Sequence, residues 1–69
     1  MGVCVQRDCR FDLLEDIIRI NGLHLVDRRT FEHGTDRAFE LDLIGTSTQI
    51  DATIDDMRRR QDVISVAVD

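Results

Sequence analysis

The chain has no proline, no tryptophan and no tyrosine, and only three phenylalanines among its 69 residues. No apolar run approaches the roughly 20 residues a helix needs to span a bilayer, so no direct membrane insertion is expected. No signal peptide and no low-complexity tract is visible. The two cysteines, Cys4 and Cys9, stand in a chain without an export signal, which fits reduced thiols of a cytoplasmic protein. A concentrated positive face is also missing. The net charge is −5, and Arg58-Arg59-Arg60 is the one basic run. On a helix such a triplet fans out over about 200°. Nucleic-acid phosphates reward a focused basic surface, so no nucleic-acid partner is expected.

The residues of catalysis are equally sparse. No glycine-rich phosphate loop occurs, and no serine or cysteine has a recognisable base nearby in sequence. His24 and His33 lack a partner histidine or cysteine at ligand spacing, and read as a strand-surface residue and a turn residue. The acids scatter along solvent faces. The domain is expected to be no enzyme and to carry no cofactor or metal.

What is present is a clear alternation of hydrophobic periods. Val3–Arg7, Leu23–Glu32, Arg37–Ile44 and Val63–Val68 repeat with period two, as strands do. Between the first two, Phe11, Leu13, Leu14, Ile17 and Ile18 fall on one helical stripe, with Glu15, Asp16 and Arg19 outside it. Asp8 and Asp12 flank the start of that helix, where either could accept hydrogen bonds from free amides. Asn21-Gly22 marks its end. The second strand is irregular, because Asp27 and Arg29 break the parity shared by Leu23, Leu25 and Phe31. A bulged or twisted edge strand is the expectation. His33-Gly34-Thr35-Asp36 reads as a hairpin loop with positive φ at glycine. Thr46 with Gln49 makes a capping box for a second helix, whose core seam is Ile50, Ile54 and Met57.

The order is βαββαβ, an α+β, ferredoxin-like fold in a single domain over residues 1–69. It implies a four-stranded antiparallel sheet with two helices on one face. Right-handed crossovers place strands one and three in the centre, two and four at the edges. The helix-covered face is expected to carry Val3, Val5, Phe39, Leu41, Leu43, Ile64 and Val66. The open face would carry Cys4, Gln6, His24, Val26, Arg28, Ala38, Glu40, Asp42, Val63, Ser65 and Ala67. RNA-binding versions of this fold stack bases on aromatics of the central strands, whereas Cys4, Gln6, Ala38, Glu40 and Asp42 offer none. Copper-carrying versions use C-x-x-C in the first loop, whereas Cys4 and Cys9 are spaced C-x4-C. Iron–sulfur versions need four ligating cysteines. A strand that begins at the third residue suggests a domain cut from a longer protein.

The first loop, Arg7-Asp8-Cys9-Arg10-Phe11-Asp12, combines both signs of charge with free amides at a helix start, a set that suits a zwitterion or a carboxylate. The same residues can equally form an ordinary helix terminus with surface charges. Asp8 after the first strand, the Leu13-Leu14-x-x-Ile17 seam, Asn21-Gly22-Leu23-x-Leu25 and the closing Ile54-x-x-Met57-Arg58-x-x-x-Asp62-Val63-x-x-Val66 together resemble an ACT domain, the regulatory module of amino-acid metabolic enzymes. Gly45-x-x-x-Gln49-Ile50-x-x-x-Ile54 is also similar to the C-terminal module of methionine importer ATPases, and soluble domains of MgtC-type membrane proteins are a further relative in pattern. The ACT resemblance implies a non-catalytic regulatory domain that forms a homodimer through the second strand and first helix. It implies a small-molecule effector such as an amino acid between the first loop of one copy and the second strand of the next. Asp8, Arg10, Phe11 and Asp12 would then contribute from the loop, and Leu25, Val26 and Arg28 from the strand. Asp8 would face an ammonium group, and the amides near Phe11 a carboxylate. The loop lacks the glycine or proline that amino-acid-binding ACT domains carry there. The alternative is therefore a ligand-free interaction domain that docks to other parts of a parent transporter, membrane protein or transcription regulator.

Overall fold

Local chemistry starts and stops each element. The computed structural model describes residues 1–68, apart from the side chain of His33, so the expectation for that side chain lies outside the described residues. The elements are β1 (Gly2–Gln6), α1 (Phe11–Ile20), β2 (His24–His33), β3 (Asp36–Ile44), α2 (Ser47–Arg58) and β4 (Val63–Ala67). Helix α1 ends in a Schellman motif. The Gly22 amide donates to the Arg19 carbonyl at 3.0 Å and the Leu23 amide to that of Ile18 at 3.1 Å. The motif needs a left-handed residue, which Gly22 supplies at φ +79°. Helix α2 begins with the capping box: the Gln49 amide donates to Thr46 Oγ1 at 3.2 Å, and the Thr46 amide to Gln49 Oε1 at 2.9 Å. The β2–β3 hairpin turns on Gly34 at φ +61°, a first central residue suited to a type II′ turn.

The four strands form one antiparallel sheet in the order β2-β3-β1-β4, compatible with a ferredoxin-like arrangement. Leu14 and Ile18 of α1 and Ile54 and Met57 of α2 pack with Val3, Val5, Phe39, Leu41 and Val66 from one face of the sheet. Thr53 is the one polar side chain in this core among the described residues, and its hydroxyl is satisfied by the Gln49 carbonyl at 2.8 Å. Asn21 joins the helices, donating from Nδ2 to the Ile17 carbonyl at 2.9 Å and to Asp56 at 3.1 Å.

Two bulges correct the face assignment that strict alternation suggests. In β2, Leu25 opposes Leu43 and Asp27 opposes Asp42, leaving Val26 as the extra residue. Beyond it Arg28 opposes Leu41 and Thr30 opposes Phe39 on the helix side, while Asp27, Arg29 and Phe31 turn to the open side. The bulge thus sets Arg28, Thr30 and Glu32 on the helix side in place of Asp27, Arg29 and Phe31. Phe31, on the open side, is 50% exposed. In β4, Cys4 opposes Ser65 and Val5 opposes Val63, with Ile64 as the extra residue. This lets Val63 and Val66 both face the helices, and leaves Ile64 51% exposed.

Candidate functional site

The first loop and the edge strand meet at Phe11, the first residue of α1. Its ring is half-buried against Phe39, with centroids 4.9 Å apart and planes tilted by 57°. The Arg28 guanidinium lies over the Phe11 ring, 4.3 Å from the centroid. The β2 bulge causes this contact, because it moves Arg28 onto the helix side of the sheet. Arg10 is the cap residue of α1 and makes no side-chain cap hydrogen bond. Neither Asp8 nor Asp12 caps the helix as their positions suggested. Asp12 instead accepts from Arg10 Nη2 at 2.9 Å, and Asp8 is exposed.

The structure therefore brings Arg10, Phe11, Asp12 and Arg28 to one end of α1, with Asp8 on the loop that leads there. Leu25 lies elsewhere. It lines a concavity of about 290 Å³ at the other end of α1, with Glu15, Ile18, Arg19, Leu23 and His24. Val26 projects from the bulge and is 61% exposed.

Sequence spacing gave no sign of a second cluster beneath the loop. Cys9 is 2% exposed and belongs to the core, whereas Cys4 lies on the open face of the sheet. Asp62, from the α2–β4 turn, accepts two hydrogen bonds from Arg60, at 2.9 and 3.0 Å. The Gln6 amide donates to the Asp62 carbonyl at 2.8 Å and the Cys9 amide to that of Gln6 at 3.0 Å, so loop and turn are laced together. Burial pushes the Cys9 thiol from 9.0 up to about 11, helped by the neighbouring Asp62 carboxylate, while its Sγ donates to the Arg10 carbonyl at 3.9 Å. The hydrogen-bonded Arg60 guanidinium holds the Asp62 carboxyl below its usual range. Cys9 and Asp62 lie more than 50 residues apart in sequence, so only the packing of loop on turn reveals the pair.

The raised thiol has a measurable consequence. Its stabilisation is complete below the unfolded-state value of 9.0 and is lost as pH rises through about 11. Urea unfolding is expected to show a fall of about 2–3 kcal/mol across that window. Cys9→Ala should lack the step, and a step of equal size in that variant would exclude Cys9 as its source. Asp62 acts in the opposite direction: its contribution is present above 3.8 and lost as pH falls through the lower folded value.

No helix among the described residues is long and apolar enough to cross a membrane. No group of three or more described His, Cys, Asp or Glu residues is placed to hold a metal ion. Compared with known proteins, the chain matches no family model and no curated relative.

Proposed function

We propose that this chain is a ferredoxin-like, non-catalytic regulatory domain of the ACT kind, which self-associates through β2 and α1 and takes a small zwitterionic metabolite such as an amino acid at its first loop. It would act in the cytoplasm as part of a larger protein. The observation that carries this reading is the meeting of loop and edge strand at Phe11, under Arg28. A ligand in the loop would touch the strand through which a second copy approaches, and so couple binding to assembly. Asp8, exposed beside this point, is the anchor for an ammonium group. The uncapped amides at the start of α1 suit a carboxylate.

The test is a ¹⁵N-HSQC titration of the protein with the twenty amino acids and common nucleotides. Saturable shifts at Asp8–Asp12 and Arg28 are expected for at least one compound. Asp8→Ala should weaken that compound's binding at least about tenfold, the loss of one charged contact. Unchanged binding to the variant would remove Asp8 from the site.

The second reading is a ligand-free docking domain, favoured by a different observation. Ile20 at the end of α1 is 80% exposed, Ile44 at the end of β3 62%, and Val26 in the β2 bulge 61%. These apolar side chains are left uncovered in the single chain, and another part of a parent protein could cover them. A panel without shifts, together with well-dispersed peaks, would favour this reading.

A further inference from the structure

The two edges of the sheet differ. At one edge, β4 has only 5 residues and is interrupted by the bulge at Ile64. At the other, β2 has 10 residues, all but one of its described side chains exposed. Such an edge presents unpaired amides and carbonyls ready to accept another strand. The bulge at Val26 and the turn at Gly34 limit its regular part to Asp27–His33, seven residues centred on Thr30.

We infer that two copies pair β2 against β2 in antiparallel fashion, with Thr30 facing the partner's Thr30 across the two-fold axis. This deepens the self-association in the proposed function and rests on it. Charge selects the register independently of length. With Thr30 on the axis, Arg28 stands opposite the partner's Glu32 on the helix side, twice by symmetry. Glu32 already accepts from Arg37 Nε at 3.2 Å, so the row alternates in sign from one sheet into the next. On the open side, Phe31 stands opposite the partner's Arg29, whose neighbour across β3 is Glu40. That placement covers the exposed phenylalanine with a guanidinium.

The other registers that keep each face on its own side are poorer. Centring on Arg28, Arg29 or Glu32 sets like charges directly opposite one another, which is destabilising. Centring on Phe31 shortens the ladder to five residues and removes the opposing charge from Arg28. Registers centred between residues would oppose helix-side with open-side residues, so they break the pleat. The charges on β2 thus guard the edge against most partners and admit a second copy of this chain.

Disulfide trapping and charge reversal test the register. In a Cys4→Ser background, Thr30→Cys should cross-link to itself under mild oxidation, since opposed Cα atoms about 4.5–5.5 Å apart lie within disulfide reach. Arg29→Cys and Phe31→Cys should each resist self-linking but join one another when mixed. By sedimentation, Glu32→Arg should weaken the dimer at least about tenfold, and Arg28→Glu with Glu32→Arg should restore it. ¹⁵N-HSQC spectra establish that each variant is folded. Self-linking at Phe31, or a dimer indifferent to Glu32→Arg, would overturn the register while leaving self-association standing. A wild-type monomer at millimolar concentration would overturn both, and the amino-acid titration would still decide the effector site separately.

Discussion

Replacing Leu14 with alanine is expected to lower the unfolding free energy by about 3–4 kcal/mol. Leu14 is 0% exposed and packs at the centre of the apolar stripe of α1. Its truncation removes apolar contact and leaves a cavity that a sheet and a second helix cannot easily close. A domain of this length has a stability of about 3–10 kcal/mol at typical values per residue. The loss would thus be a large part of the whole, and at the low end the variant would be substantially unfolded at 25 °C. Without tryptophan or tyrosine, fluorescence reports poorly, so urea unfolding followed by far-ultraviolet circular dichroism is the suitable measurement. Ile20→Ala, on the same helix but 80% exposed, should change stability by no more than about 0.5 kcal/mol. Equal effects at the two positions would contradict the orientation of α1 described above.

Gly45→Ala is expected to cost about 2–4 kcal/mol, because one methyl group would disturb two side chains at once. A Cβ at this position overlaps Leu23 Cδ2 and stands 2.8 Å from Gln49 Oε1. Leu23 is 6% exposed and supplies the last amide of the Schellman motif, so its side chain has little room to withdraw. Gln49 Oε1 accepts the Thr46 amide in the capping box, so displacing it frees a backbone donor at the start of α2. For a domain of this size the expected fall in melting temperature is on the order of 10–25 °C. Thr48→Ala, on the exposed first turn of the same helix, should shift it by only a few degrees. A Gly45→Ala variant that melts with the wild type would show that Leu23 and Gln49 can both move aside without cost.

The candidate site was legible in part. The loop from Asp8 to Asp12 reads from sequence as a charged helix start, and it is one. Helix capping by an aspartate did not follow from position, because Asp12 pairs with Arg10 instead. The ACT resemblance groups Leu25, Val26 and Arg28 on the strand side of one site. The bulge separates them: Leu25 lines the concavity near Ile18 and Arg19, Val26 points outward, and Arg28 reaches Phe11. A charged pair set within a period-two run, here Asp27 and Arg29, is a signal that such a bulge exists, but not of where it falls.

Sequence alone determined what depends on neighbours within about five residues: the two helices and their stripes, the capping box of Thr46 with Gln49, the stop at Asn21-Gly22 and the turn at Gly34. These features rest on hydrogen bonds and backbone preferences local to each segment, so the chain carries them wherever it is placed. Only the tertiary structure decided which face each residue of the edge strands shows, how Arg28 comes over Phe11, and how Cys9 meets Asp62. Those outcomes depend on the register of strands distant in the chain, and the register adopted turns Asp27, Arg29 and Phe31 to the open side while Val63 and Val66 both face the helices. One extra residue in a strand reverses every face beyond it, and nothing local to that residue says whether the exchange is favourable.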